Sequence, residues 1–114
     1  MIDLTKIENI YLVTEYTDMR KQVDGLTSLI TLITNLELKP NNSYIFCGRD
    51  KTKIKVLVID KTGIWVYYKR THGQKFVWPK GDNSLLIDKR QLLWLLDGLS
   101  VIQKSAHTEK YYNC

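Results

Sequence analysis

With 114 residues the chain has room for one domain and one hydrophobic core. Its 44% apolar and 25% charged residues exclude a disordered or fibrous chain. The apolar runs at 56–59 and 64–68 fall far short of the roughly 20 residues of a membrane-spanning helix. Seventeen Lys and Arg against twelve Asp and Glu leave a formal charge of +5, which favours anionic partners, nucleic acid first.

The start, Met1-Ile2-Asp3-Leu4-Thr5-Lys6, lacks the basic and apolar regions of a leader, so the protein is expected in the cytoplasm. Cys47 and Cys114 are far apart and are expected as reduced thiols. His72 and His107 are equally isolated, so no metal site and no cofactor are expected.

In chain order, Ile10-Tyr11-Leu12-Val13 is a short β-prone run. Thr17 or Asp18 can then cap a helix by accepting from its free N–H groups. From Met19 the apolar residues Val23, Leu26, Ile30 and Ile33 recur at helical spacing, widened by Leu29, Leu32 and Leu36. The pattern predicts an amphipathic helix of about 18 residues ending before Lys39-Pro40, with Gly25 placed where another element comes close.

The period then changes. Residues 44–47, 53–59 and 64–69 are strand-like runs joined by Gly48-Arg49-Asp50-Lys51 and Asp60-Lys61-Thr62-Gly63, which are hairpin connectors. Phe76-Val77-Trp78 before Pro79 is a candidate fourth strand, and Leu85-Leu86-Ile87 a last short one. Asp88 caps a second helix carrying Leu92, Leu96 and Leu99 on one face, with Gly98 near its end. The expected fold is α+β: a single domain over 1–102, an antiparallel meander with a helix before and a helix after packed on one face. Residues 103–114 are expected to form a disordered tail.

Hairpin geometry places the charge. If Lys61 and Thr62 form a two-residue turn, Lys53 faces Arg70 and Lys55 faces Tyr68, while Ile54, Val56, Val58, Trp65 and Tyr67 form the other face. A turn one residue longer pairs Lys53 and Lys55 with Lys69 and Tyr67 instead. Either register gathers cations and a tyrosine at the open end of the hairpin, with Arg49 and Lys51 on the preceding turn. Such a surface suits nucleic acid, and it also suits a plain solvated sheet face. Asp18, Asp24, Asp50, Asp60, Asp82, Asp88 and Asp97 fall at turns and helix starts, where capping explains them, and no nucleophilic triad or phosphate loop is present. No catalytic residue is expected.

Several motifs, in order, resemble one known family. They are Thr17-Asp18-Met19-Arg20-Lys21 with Val23-Asp24-Gly25-Leu26, then Ile45-Phe46-Cys47, Arg49, Lys53-Ile54-Lys55 and Asp60-Lys61-Thr62-Gly63. Lys69-Arg70, Phe76-Val77-Trp78-Pro79 and Leu96-Asp97-Gly98-Leu99 complete the series. The set is similar to the TnpB accessory proteins of insertion-sequence-66 elements, with departures at Gln22, where that family has Gly, and Ile59, where it has an aromatic. The resemblance implies a non-enzymatic accessory role in DNA transposition beside a separate transposase.

Two functions follow from that resemblance and the charge. One is DNA binding at the element ends, with Arg20, Lys21, Arg49, Lys53, Lys55, Lys69 and Arg70 on phosphates and Tyr68 or Trp78 stacking on bases. In that reading the helix start near Arg20 and Lys21 also seats a phosphate. The other is docking on the transposase or another element-encoded protein through an exposed apolar patch, for which Trp65, Trp78 and Trp94 are candidates. A homo-oligomer is compatible with both.

Overall fold

The strongest local instruction in the chain is Asp60. Its Oδ1 accepts hydrogen bonds from the N–H groups of Thr62 (2.9 Å) and Gly63 (2.7 Å), and its own N–H donates to the Gly63 carbonyl at 2.9 Å. An Asp that satisfies its own connector in this way folds a two-residue turn. The turn selects the first of the two registers considered above, with pairs running from Ile59↔Ile64 to Lys53↔Arg70.

The computed structural model describes residues 4–34 and 38–102. The strands are β1 (Asn9–Val13), β2 (Asn42–Cys47), β3 (Lys53–Ile59), β4 (Ile64–Arg70) and β5 (Ser84–Ile87), and the helices are α1 (Val23–Leu29) and α2 (Lys89–Leu96). The expected meander of β2, β3 and β4 is present, and the domain is α+β as read from the sequence. The full sheet is mixed rather than antiparallel throughout. Its order is β4-β3-β2-β1-β5, with β1 parallel to β2 and antiparallel to β5.

Side-chain alternation along the strands builds two cores. Ile10 and Leu12 of β1, Ile45 and Cys47 of β2, and Ile54 and Val56 of β3 pack with Leu92 and Leu95 of α2. Val13, Tyr44, Phe46, Leu57 and Ile59 point the other way and pack with Leu26 of α1 and Ile30. The two helices therefore cover opposite faces of the sheet, which corrects the expectation of one shared face. The physical reason lies in β1 and β2, which are buried on both sides because each has a strand on either flank and a helix above and below.

The first helix begins later than its periodicity suggests. Lys21 N–H bonds to the Asp18 carbonyl (3.1 Å) and Arg20 N–H to Asp18 Oδ1 (3.0 Å), which closes a tight turn over residues 18–21. Gln22, in extended geometry, then precedes α1 with no side-chain cap. Asp18 is thus the organiser of a turn and not the cap of the helix. A π-type turn, Ile30–Thr34, continues α1; Leu36 lies outside the described residues, as do His107, Cys114 and the expected tail.

The second helix starts at its cap signal but ends at Leu96, so the expected face is corrected: Leu99 lies beyond the helix and is exposed, and Leu95 is buried beside Leu92. Asp88 Oδ1 accepts from Gln91 N–H (2.8 Å) while Gln91 Oε1 accepts from Asp88 N–H (2.9 Å), a reciprocal capping box. At its end Gly98, with φ +83, bonds to the Leu95 carbonyl and Leu99 to the Trp94 carbonyl, a Schellman arrangement that needs a left-handed residue. Residues 76–78 form no strand. Phe76 and Trp78 instead turn inward as core residues, and Trp78 Nε1 donates to the Val13 carbonyl at 3.1 Å.

Candidate functional site

The register fixed by Asp60 sorts the basic residues of β3 and β4 between the two faces. On the α1 side Lys53 faces Arg70, Lys55 faces Tyr68 and Leu57 faces Val66. On the α2 side Lys69 faces Ile54. Lys69 Nζ donates to the Leu96 carbonyl at 3.0 Å, capping the end of α2, and lies 5.9 Å from the Phe76 ring centroid. Lys69 is therefore separated from the other cations by the thickness of the sheet.

The remaining six expected residues come together. Lys55 Nζ donates to the Lys21 carbonyl at 2.8 Å, which ties the 18–21 turn to the hairpin, and it sits 5.8 Å from the Tyr68 ring centroid. Arg49 and Lys53 line one recess together with Asp18 and Met19. The turn carrying Arg49 packs tightly on this loop, because a methyl placed on Gly48 would lie 2.9 Å from Met19 Cγ. Gly25 has the same use: a methyl there would lie 3.1 Å from Lys21 Cβ, so the close approach is by the loop just before the helix.

Two carboxylates are built into this surface. Asp18 grips Arg20 in a fork, with Nε–Oδ1 at 3.0 Å and Nη2–Oδ2 at 2.8 Å, and Asp50 Oδ2 accepts from Lys53 Nζ at 2.8 Å. The Arg20 hydrogen bonds hold the Asp18 carboxyl down at about 2, and the Lys53 hydrogen bond does the same for Asp50, also about 2. Both pairs are solvent-exposed, where such contacts contribute little to stability. Among the described residues Lys21, Arg49 and Arg70 have no carboxylate partner.

The aromatic candidates divide. Tyr68 is 53% exposed, beside Lys55 on the basic face. Trp78 is buried in the core, with its indole N–H donated to the Val13 carbonyl. Trp65 is 58% exposed on the α2 side, its Nε1 held 3.0 Å from Asp60 Oδ2 and its ring stacked on Tyr67 at 6.3 Å. Trp94 is half-buried. Sequence reasoning missed a recess on the basic face, lined by Met19, Gln22, Val23, Lys55, Val66 and Tyr68. Its only sequence signal is the even-numbered alternation of Val66, Tyr68 and Arg70, which the chosen register aligns with Lys55 and Lys53.

The protein-family model described as IS66 Orf2 like protein matches residues 8–106, which includes every strand, both helices and all six clustered cations. The chain belongs to the IS66 Orf2-like family. Members of the IS66 Orf2-like family are accessory proteins associated with transposition. The "Uncharacterized protein y4hO" of Sinorhizobium fredii (strain NBRC 101917 / NGR234) is 30% identical over 91 residues, which cover 79% of this chain and 79% of that protein. No solved structure matches. The family match covers both the 17–21 loop and the hairpin, so the basic surface is part of the IS66 Orf2-like domain itself.

Among the described residues no three His, Cys, Asp or Glu side chains lie close enough to hold a metal ion, and no helix is long and apolar enough to cross a membrane. Cys47 is buried, and that burial pushes its thiol up to about 12, far from the thiolate a nucleophile requires. What the basic face offers is hydrogen-bond donors and positive charge, the groups that pair with anions.

Proposed function

We propose that the protein is a non-catalytic, DNA-binding accessory factor of transposition that grips phosphates with Arg20, Lys21, Arg49, Lys53, Lys55 and Arg70, and uses Tyr68 as a stacking group. The observation that carries this reading is the cross-strand pair Lys53↔Arg70. Like charges directly opposite each other destabilise an antiparallel ladder. Asp50 offsets only the Lys53 charge, so the pair is most favourable with a further anion against Arg70. Lys69 is left out of the contact set because it serves the end of α2 on the other face.

Fluorescence anisotropy of labelled element-end and scrambled DNA across a salt series tests the proposal. Binding should weaken with salt by about 0.9 log unit per phosphate contact per log unit of salt, and Lys53→Ala with Arg70→Ala should flatten the slope by close to two such contacts. Salt-insensitive or absent binding to both DNAs would reject it.

A second reading, docking on the separate transposase without DNA contact, is favoured by Trp65. An exposed indole held in place by Asp60 and Tyr67 has the character of a protein-interface anchor. Loss of transposase capture on Trp65→Ala, with no DNA binding by the parent protein, would establish this reading instead.

A further inference from the structure

The basic face is not uniformly polar. At its centre the side chains of Met19, Gln22, Val23, Lys55, Val66 and Tyr68 enclose a recess of about 310 Å³. Met19 and Val23 come from the loop and first turn of α1, and Val66 and Tyr68 from the outermost strand, so two elements on the same side of the sheet form its walls. Met19 and Val66 also pack against the α1-side core, which gives the recess a fixed floor.

A surface that bound only phosphates would gain nothing from an apolar hollow. Duplex DNA presents phosphates and base edges outward and keeps its base faces stacked inside. A single strand exposes base faces next to its phosphates, and proteins that bind it pair a cationic track with aromatic stacking groups. Here Tyr68 stands at the recess with Lys55 against its ring, and Lys53 and Arg70 continue the cationic line one pair further along the ladder. The β3–β4 pair is also no free ribbon for a duplex groove, because β2 occupies the other side of β3.

We infer that the recess receives an unpaired nucleobase and that the preferred ligand of this face is single-stranded DNA. The inference rests on the DNA-binding reading above and specifies its substrate. One base lies against Tyr68 between Val66 and Met19, while Arg70 and Lys53 on one side and Lys21 on the other hold the flanking phosphates. Lys55 orders the site by holding the Lys21 carbonyl and thereby the loop that carries Met19.

The test is anisotropy of the full chain with a labelled single strand, the duplex of the same sequence, and a single strand carrying consecutive abasic sites. Single strand should bind at least tenfold tighter than duplex, and the abasic strand should fall towards the duplex value. Tyr68→Ala should lower single-strand affinity about tenfold or more, the usual range for loss of one base–aromatic stack. Tyr68→Phe, which keeps the ring, should retain most of it. Duplex binding equal to or tighter than single strand, or no response to the abasic sites, would overturn the inference while leaving the DNA-binding reading intact. No binding to any of the three would overturn both. Since Tyr68 is an exposed side chain, an unchanged melting temperature separates loss of binding from loss of fold.

Discussion

Lys55 donates its ammonium to the main-chain carbonyl of Lys21, 34 positions away, at 2.8 Å. The contact joins the outer hairpin to the loop before α1, and it places residues 17–21 and 53–55 on one surface. Lys55→Met keeps the alkyl stem beside Tyr68 and removes the donor. It should leave the melting temperature within a few degrees but raise amide exchange at Arg20 and Lys21, measured by hydrogen exchange. Unchanged protection there would mean that the loop is held by Gly48 packing on Met19 alone.

Asp50 holds Lys53 on the surface proposed to meet phosphates. Asp50→Asn removes a negative charge and releases Lys53, so DNA affinity should rise several-fold and the salt dependence should steepen by up to one contact. Anisotropy at two salt concentrations decides it. Weaker binding would show that Asp50 orients Lys53 productively instead of competing for it.

Lys69 and Arg70 are adjacent in sequence and opposite in role. Lys69→Ala should leave DNA binding unchanged and cost about 0.5–1 kcal/mol of stability, the contribution of one hydrogen bond at a helix end. Arg70→Ala should do the reverse. Paired denaturant titrations and anisotropy distinguish the two, and identical behaviour of the variants would contradict the face assignment.

Asp18 and Asp50 both have folded values near 2, below the ordinary carboxylate value of 3.8. A carboxylate depressed in the folded state stabilises the fold above its unfolded value, and that contribution is lost as pH falls through the folded value. Their stabilisation should therefore be complete above about pH 4 and disappear between about pH 4 and pH 2. Melting curves across that window should show a shallower decline for the Asp18→Asn, Asp50→Asn double variant than for the parent protein.

Trp78→Phe removes the indole hydrogen bond to Val13 and part of the ring volume that fills the α2-side core. A loss of about 2 kcal/mol in chemical denaturation is expected, with single-strand affinity unchanged in the folded protein. Selective loss of DNA binding at full stability would return Trp78 to the stacking role.

The sequence was most legible where one residue satisfies its own neighbourhood. Asp60 closing its hairpin and Asp88 capping α2 are decisions made within three residues, and both are visible as side-chain types at fixed offsets. What escaped depends on distant partners. The apolar run Ile10-Tyr11-Leu12-Val13 carries the mark of a strand buried on both faces, yet nothing in it names β2 and β5 as neighbours. The burial of β2 on both faces, which requires cover on both sides of the sheet, likewise became visible only in the structure. Helical spacing from Met19 overran the true start of α1 because a local Asp18–Arg20 contact outcompetes the first turn. At the site, the grouping of Lys53, Lys55 and Arg70 could be read from register, whereas the approach of Arg20 and Lys21 and the recess itself required the loop carrying Met19 to be seated against the hairpin.

The place of β1 between β2 and β5 governs the order of assembly. As the chain leaves the ribosome, β1 comes first and cannot complete either ladder until much later: Tyr11 waits for Tyr44, and Ile10 for Ile87. The β3–β4 hairpin can form by itself meanwhile, so the outer edge of the sheet is available before its interior strand is locked. Chains cut short before residue 84 would carry a finished hairpin beside an unzipped edge of β1, a template for pairing with other unfinished copies.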